Sequence, residues 1–205
     1  MTENTKLPGR RCRHGGSRHA GAGSALAITQ KRIAAHAGID NTAWRIKRPP
    51  NQPWPFKAVQ TPPLQWWRTL PSDGFRDAEQ LLLLKTLERI RVLRGGDDPA
   101  AALCGDPAAA IGVAFTLMPI EEFTLEVDIA MTALLRCALE RNAAAALVLA
   151  QIVGLTEFEH EFATELAASW YVHGRRHSAN PRQFSEAEAV LLSAFRQRHR
   201  DGENA

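Results

Sequence analysis

The 205-residue chain is 45% hydrophobic and 23% charged, a composition that excludes a fibrous or wholly disordered polypeptide. Its longest apolar run, residues 143–155, includes Gln151 and falls short of the roughly 20 residues that cross a bilayer, so no membrane partner is expected. The net charge of +3 is the remainder of two opposed halves: residues 1–70 hold 12 Lys and Arg against two acids, a net of +10, while residues 71–205 hold 13 against 20, a net of −7. A basic arm on an acidic body is a pattern of nucleic-acid contact; the alternatives are a solvated tether and an arm folded back on the body. Residues 1–24, with Gly9-Arg10-Arg11, Gly15-Gly16 and Gly21-Ala22-Gly23, have no apolar periodicity and read as a disordered basic tail. No apolar segment of signal-peptide length follows these arginines. Cys12, Cys104 and Cys137 are odd in number and widely spaced, as reduced thiols in a cytoplasmic protein are.

Residues 25–48 contain the most specific local pattern, Gln30 to Lys47. Ala34 is the small residue that lets two helices approach, and Gly38 supplies a turn position tolerant of positive φ. Ile33, Ala37 and Ile39 flank them, and Trp44 lies inside the second segment. The stretch resembles the helix-turn-helix of bacterial repressors. That resemblance implies a recognition helix opening at Asp40 to Thr42, with Lys31, Arg32, Asn41, Thr42, Arg45, Lys47 and Arg48 as the nucleic-acid-binding residues. Lys47 stands where the family has an apolar residue, and Pro49 cuts the second helix short. The other reading of the stretch is a short amphipathic helix ending at Gly38.

Residues 49–71 form a linker rich in proline and tryptophan, holding seven of the 12 prolines. Proline fixes φ and disfavours helix in the residue before it, so residues 49–63 should be extended. Trp54, Phe56, Trp66 and Trp67 are expected to pack against the body, the alternative being stacking on bases or docking a partner.

From residue 72 to 200 the apolar pattern has the period of a helix, and no stretch alternates like a strand. Residues 76–94 carry Leu81, Leu84, Leu87 and Ile90 on one face and stop at Gly95-Gly96. The run of leucines at 81–84 spreads apolar surface further, as in a central helix or one shared with a second subunit. Asp97-Asp98-Pro99 and Asp106-Pro107 mark two helix starts. Residues 121–141 carry Phe123, Val127, Ala130 and Leu134, and Asn142 connects them to a buried helix over 143–153. Thr156 with Glu159 and Ser185 with Glu188 have the spacing of capping boxes. The first opens a helix burying Phe158, Phe162, Leu166 and Trp170 and ending at Gly174. The second opens one with a stripe of Ala187, Val190, Leu191, Ala194 and Phe195, closing on Arg196, Arg198 and Arg200. The expected fold is all-α, a bundle of about five to seven helices behind a basic, partly disordered, Pro/Gly-rich arm.

Chemistry-bearing spacings are few. Glu157 and His160 have the Glu-x-x-His interval of carboxylate-bridged metal bundles, but no second copy exists, so a solvated acidic face is expected. Gly174 interrupts His173 and His177, Cys12, His14 and His19 lack a second ligand pair, and Cys104 and Cys137 read as packing residues. No phosphate loop or nucleophile elbow occurs, so neither cofactor nor metal nor catalytic residue is expected, and nothing in the sequence argues for an enzyme. Two functions follow: a DNA-associated or regulatory protein whose helical body serves dimerisation or partner binding, or a helical protein-interaction module with a basic tether.

Overall fold

The computed structural model describes residues 53–90, 97–156, 158 and 160–203. Among these it is all-α, with seven α-helices, three 3-10 turns and no strand. The disordered tail and helix-turn-helix expected over residues 1–48 lie outside the described residues.

Residues 53–71 form a strap along the bundle, built on 3-10 turns at Ala58–Gln60 and Pro63–Arg68; a third turn, Ser72–Gly74, leads into the first helix. As expected, the aromatics pack: Trp66 and Trp67 are fully buried with Leu70, and Trp54 and Phe56 are half-buried. The indole N–H groups find acceptors, Trp54 on the Thr69 carbonyl (2.7 Å) and Trp66 on the Thr61 carbonyl (2.9 Å), so neither ring strands its donor.

Helix α1 runs Asp77–Arg89, α2 Asp97–Leu103 and α3 Pro107–Thr116. Asp106 caps α3 as its sequence position implies, its Oδ1 accepting from the amides of Ala108 (2.8 Å) and Ala109 (3.0 Å). Between α2 and α3 the chain turns through Gly105 at φ 92°, a backbone state that L side chains avoid. Helix α4 (Leu125–Leu139) starts four residues later than the apolar pattern suggests, because Thr124 caps it by accepting from the Val127 amide. Asn142 does more than connect: its Oδ1 accepts from the Ala145 amide and caps α5 (Ala143–Leu155). Residues 145–153 of α5 are all buried, which makes it the central helix. It packs against α4 on one side and α6 (Ala163–His177) on the other.

Three sequence expectations give way to local chemistry. Thr156 ends α5 instead of opening α6, because its hydroxyl donates back to the Ile152 carbonyl at 2.8 Å; Glu159 lies outside the described residues. Gly174 does not end α6, which continues to His177, and this glycine sits where α6 meets α5 and the last helix. That helix, α7 (Pro181–Glu203), starts before Ser185: Asn180 Oδ1 accepts from the amides of Arg182 (3.0 Å) and Gln183 (3.4 Å), leaving Ser185 inside the helix. Its stripe still docks, with Phe195 buried and stacked on Phe115 at 4.5 Å between centroids. On α1 the buried leucines are Leu83 and Leu87, whereas Leu81 is exposed, so α1 is not a central helix. No helix among the described residues is long and apolar enough to cross a membrane.

Candidate functional site

The sequence-predicted nucleic-acid residues Lys31, Arg32, Asn41, Thr42, Arg45, Lys47 and Arg48 all lie outside the described residues. What the structure brings together instead is a cluster joining the strap to the start of α4 and to the α5–α6 connection.

Its polar centre is Asp128. The Trp67 indole donates to Asp128 Oδ1 at 2.8 Å, and the Arg68 guanidinium pairs with the same carboxylate, Nε to Oδ1 at 3.3 Å and Nη2 to Oδ2 at 3.4 Å. The carboxylate side chain is 9% exposed and that of Arg68 21%, so water screens the pair poorly on the acid's side. Helix α4 turns Asp128 inward because it lies one residue from Val127 and four before Thr132, both buried. Thr132 extends the junction, its hydroxyl lying 2.6 Å from the Asp128 carbonyl and 3.1 Å from that of Leu64.

Around this pair lies an aromatic layer. The Arg68 guanidinium sits 4.7 Å from the Phe123 centroid, within cation–π range. Phe123 stacks on Phe158 at 5.4 Å, and Phe158 stacks on the His160 ring at 5.2 Å. Phe56 packs on His160 from the strap, and Phe162 packs on both Trp54 and Phe56. His160 Nε2 lies 2.9 Å from the Arg68 carbonyl, so that nitrogen carries the proton and donates; Nδ1 is buried without a hydrogen-bond partner. His160 lies outside any helix, since α6 begins only at Ala163, and Glu157, its partner in the Glu-x-x-His interval, lies outside the described residues.

A second polar cluster lies between α6 and α7. The Tyr171 hydroxyl donates to Glu188 Oε2 at 2.8 Å; burial first, then this bond, pushes the phenol up to about 12. Glu188 is buried here, not capping a helix start. Because α6 runs through Gly174, His173 and His177 share a face, their rings 4.6 Å apart. His173 Nε2 donates to the Ala138 carbonyl at 3.1 Å, and burial is the main cause holding its pKa below the ordinary value. Cys137 is buried as expected, its thiol pushed up to about 11 chiefly by burial and secondarily by Glu140. Cys104 departs from expectation and is exposed.

Chemically, these clusters hold the body together. Asp128 is committed to two donors and Glu188 to a phenol that stays protonated at neutral pH. Among the described residues no group of three or more His, Cys, Asp or Glu side chains could hold a metal ion. Sequence reasoning missed the buried roles of Asp128 and Glu188, though a signal existed: each lies next to a residue of an apolar helical stripe, Val127 and Ala187, a costly place for a carboxylate without a donor. The chain matches no family model, and no curated protein or solved structure proves similar to it.

Proposed function

We propose that this is a DNA-associated regulatory protein of the bacterial cytoplasm, in which the basic N-terminal arm engages the phosphate backbone and the helical body serves association. The observation that carries the reading is the charge segregation, +10 over residues 1–70 against −7 over the remainder. An acidic body repels polyphosphate, so attraction is confined to the arm, and within it Lys31, Arg32, Arg45, Lys47 and Arg48 cluster around the stretch resembling a helix-turn-helix. Asn41 and Thr42 are the short polar side chains suited to base edges there. The strap supports this division of labour. Trp54 is pinned to Thr69 and Phe162, so the strap that follows residues 1–52 is held against the body. The second reading, a protein-interaction module with a basic tether, is favoured by one observation: the exposure of Leu81 and Leu82 on α1.

The two part in a salt titration of DNA binding by the full-length chain. Each neutralised phosphate contributes a slope of about −0.9 in log affinity against log salt. Replacing Arg45, Lys47 and Arg48 together with Ala should weaken binding and flatten that slope by about two to three units. Asn41→Ala should instead lower discrimination between sequences and leave the slope alone. Unchanged affinity and slope in the triple variant would leave the tether reading in possession.

A further inference from the structure

Helix α1 buries Leu83 and Leu87 in the core and packs on α4 and the Pro63–Arg68 turn. Its opposite face is exposed and apolar in the middle: Leu81 is 53% and Leu82 48% exposed, with Ala78 beside them. Charged side chains border this face at both ends, with Arg76 beside Asp77 at the start and Glu88 and Arg89 beyond Lys85, all exposed. Asp77 lies four residues before Leu81 and Lys85 four residues after it, both exposed, and four residues along a helix return to the same face about 6 Å further on.

Within the segment from Asp77 to Lys85 the order, acid then leucine then base at equal intervals, is complementary to its own reverse. Glu88 lies beyond the reach of a partner helix so reversed, facing the residues that precede that helix. We infer that α1 is the contact surface for a second copy of this chain, packed antiparallel about a two-fold axis at Leu81, with Asp77 of each protomer facing Lys85 of the other. The inference rests on the body being the association module, and not on what the arm binds. A closed two-fold contact requires a self-complementary patch, which this face is. Parallel packing would set Asp77 against Asp77 and Lys85 against Lys85, so charge selects the antiparallel form, which also opposes the helix dipoles. Leu81 meets its own symmetry mate, and Leu82 and Ala78 flank it, removing apolar surface that one protomer leaves in water. One helical face is smaller than a standard interface, so the pair dissociates on dilution. Each dimer carries two arms, which raises the effective concentration of the second once the first has bound.

The test is sedimentation of the full-length chain without nucleic acid, so that its failure leaves the arm's ligand an open and separate question. The wild-type chain should move from monomer to dimer as concentration rises. Asp77→Lys and Lys85→Asp each place like charges across the axis twice and should raise the dissociation constant at least tenfold. Mixed in equal amounts, the two variants present one basic and one acidic face, and the mixed dimer should form near the wild-type concentration. Leu81→Ser, at a position not packed within the protomer, should fold and weaken the dimer by a similar factor, and it serves if either charge variant fails to fold. A wild-type chain that stays monomeric overturns the inference, including the case in which another part of the chain covers α1. So does a dimer indifferent to these substitutions, or a mixture no better than its components.

Discussion

Asp128 is the acceptor shared by the two strap side chains that matter most, Trp67 and Arg68. Replacing it with Ala strands a buried indole N–H and leaves a guanidinium without its counter-charge, which together should cost about 2–4 kcal/mol. Asn keeps an oxygen for Trp67 and loses only the charge, so about 1–2 kcal/mol is expected. Urea unfolding at pH 7 checks the order; equal stability of both variants and wild type would mean that the strap is held elsewhere. His173 supplies a second residue-scale outcome, one that depends on pH. Burial keeps its folded pKa below the ordinary value near 6.5. The unfolded chain therefore takes up the proton first, so His173 favours folding above about pH 6.5 and that contribution is lost as pH falls through the folded pKa. His173→Gln keeps a donor for the Ala138 carbonyl without titrating. The difference in melting temperature between wild type and this variant should narrow, or change sign, as pH drops below about 6.5; a constant difference would show that the imidazole is not linked to folding.

At the scale of elements, the helices were legible in the sequence and several of their ends were not. Periodicity marks α4 by its buried stripe and α7 by a half-buried one that includes Phe195, an unbroken apolar run marks α5, and Asp106 before Pro107 places the start of α3 to the residue. Ends failed where one residue type has two uses. Thr156 can open a helix or close one, and the back-bond to Ile152 decides. Glycine can end a helix or let two helices touch. A Cβ on Gly174 would lie 3.1 Å from the Ala143 carbonyl oxygen, the Ala146 Cβ and the Phe184 ring, so its use is close approach. Gly112, exposed within α3, has nothing within 4 Å of such a Cβ. Ala at either site gains about 1 kcal/mol of helix propensity over Gly, but overpacking at Gly174 costs about 1–3 kcal/mol. Gly112→Ala should therefore raise the melting temperature by about 2–4 °C and Gly174→Ala lower it. Both variants rising together would mean that the α6–α5 contact has slack. The Asp128 cluster was beyond sequence reading because its members are some 60 residues apart, and local patterning carries no information about which acid meets which indole.

For the molecule as a whole, the strap decides what can be cut away. Composition shifts at residue 71, where prolines and the basic excess end, yet Trp66, Trp67 and Leu70 on the near side of that shift are buried in the same core as α4 and α6. Charge and proline content report what a segment avoids, whereas burial reports what it packs on. Removing one large buried side chain costs about 3–5 kcal/mol, against a total stability of about 5–15 kcal/mol for a domain. Losing two tryptophans and a leucine at once would exhaust that total and open the α4 face that holds Asp128 and Thr132. A chain beginning at Pro49 should retain a cooperative melt and the near-ultraviolet signal of packed tryptophans, whereas one beginning at Ser72 should have neither. Trp67→Ala in the full-length chain should fall between them, folded but melting well below wild type. A Ser72 chain that melts like the Pro49 chain would make the strap an ornament. If instead the strap is part of the body, an arm deletion meant to test the proposed nucleic-acid contact apart from folding must stop before Pro53, because a cut at the compositional boundary would remove arm and fold together and make a structural loss look like a functional one.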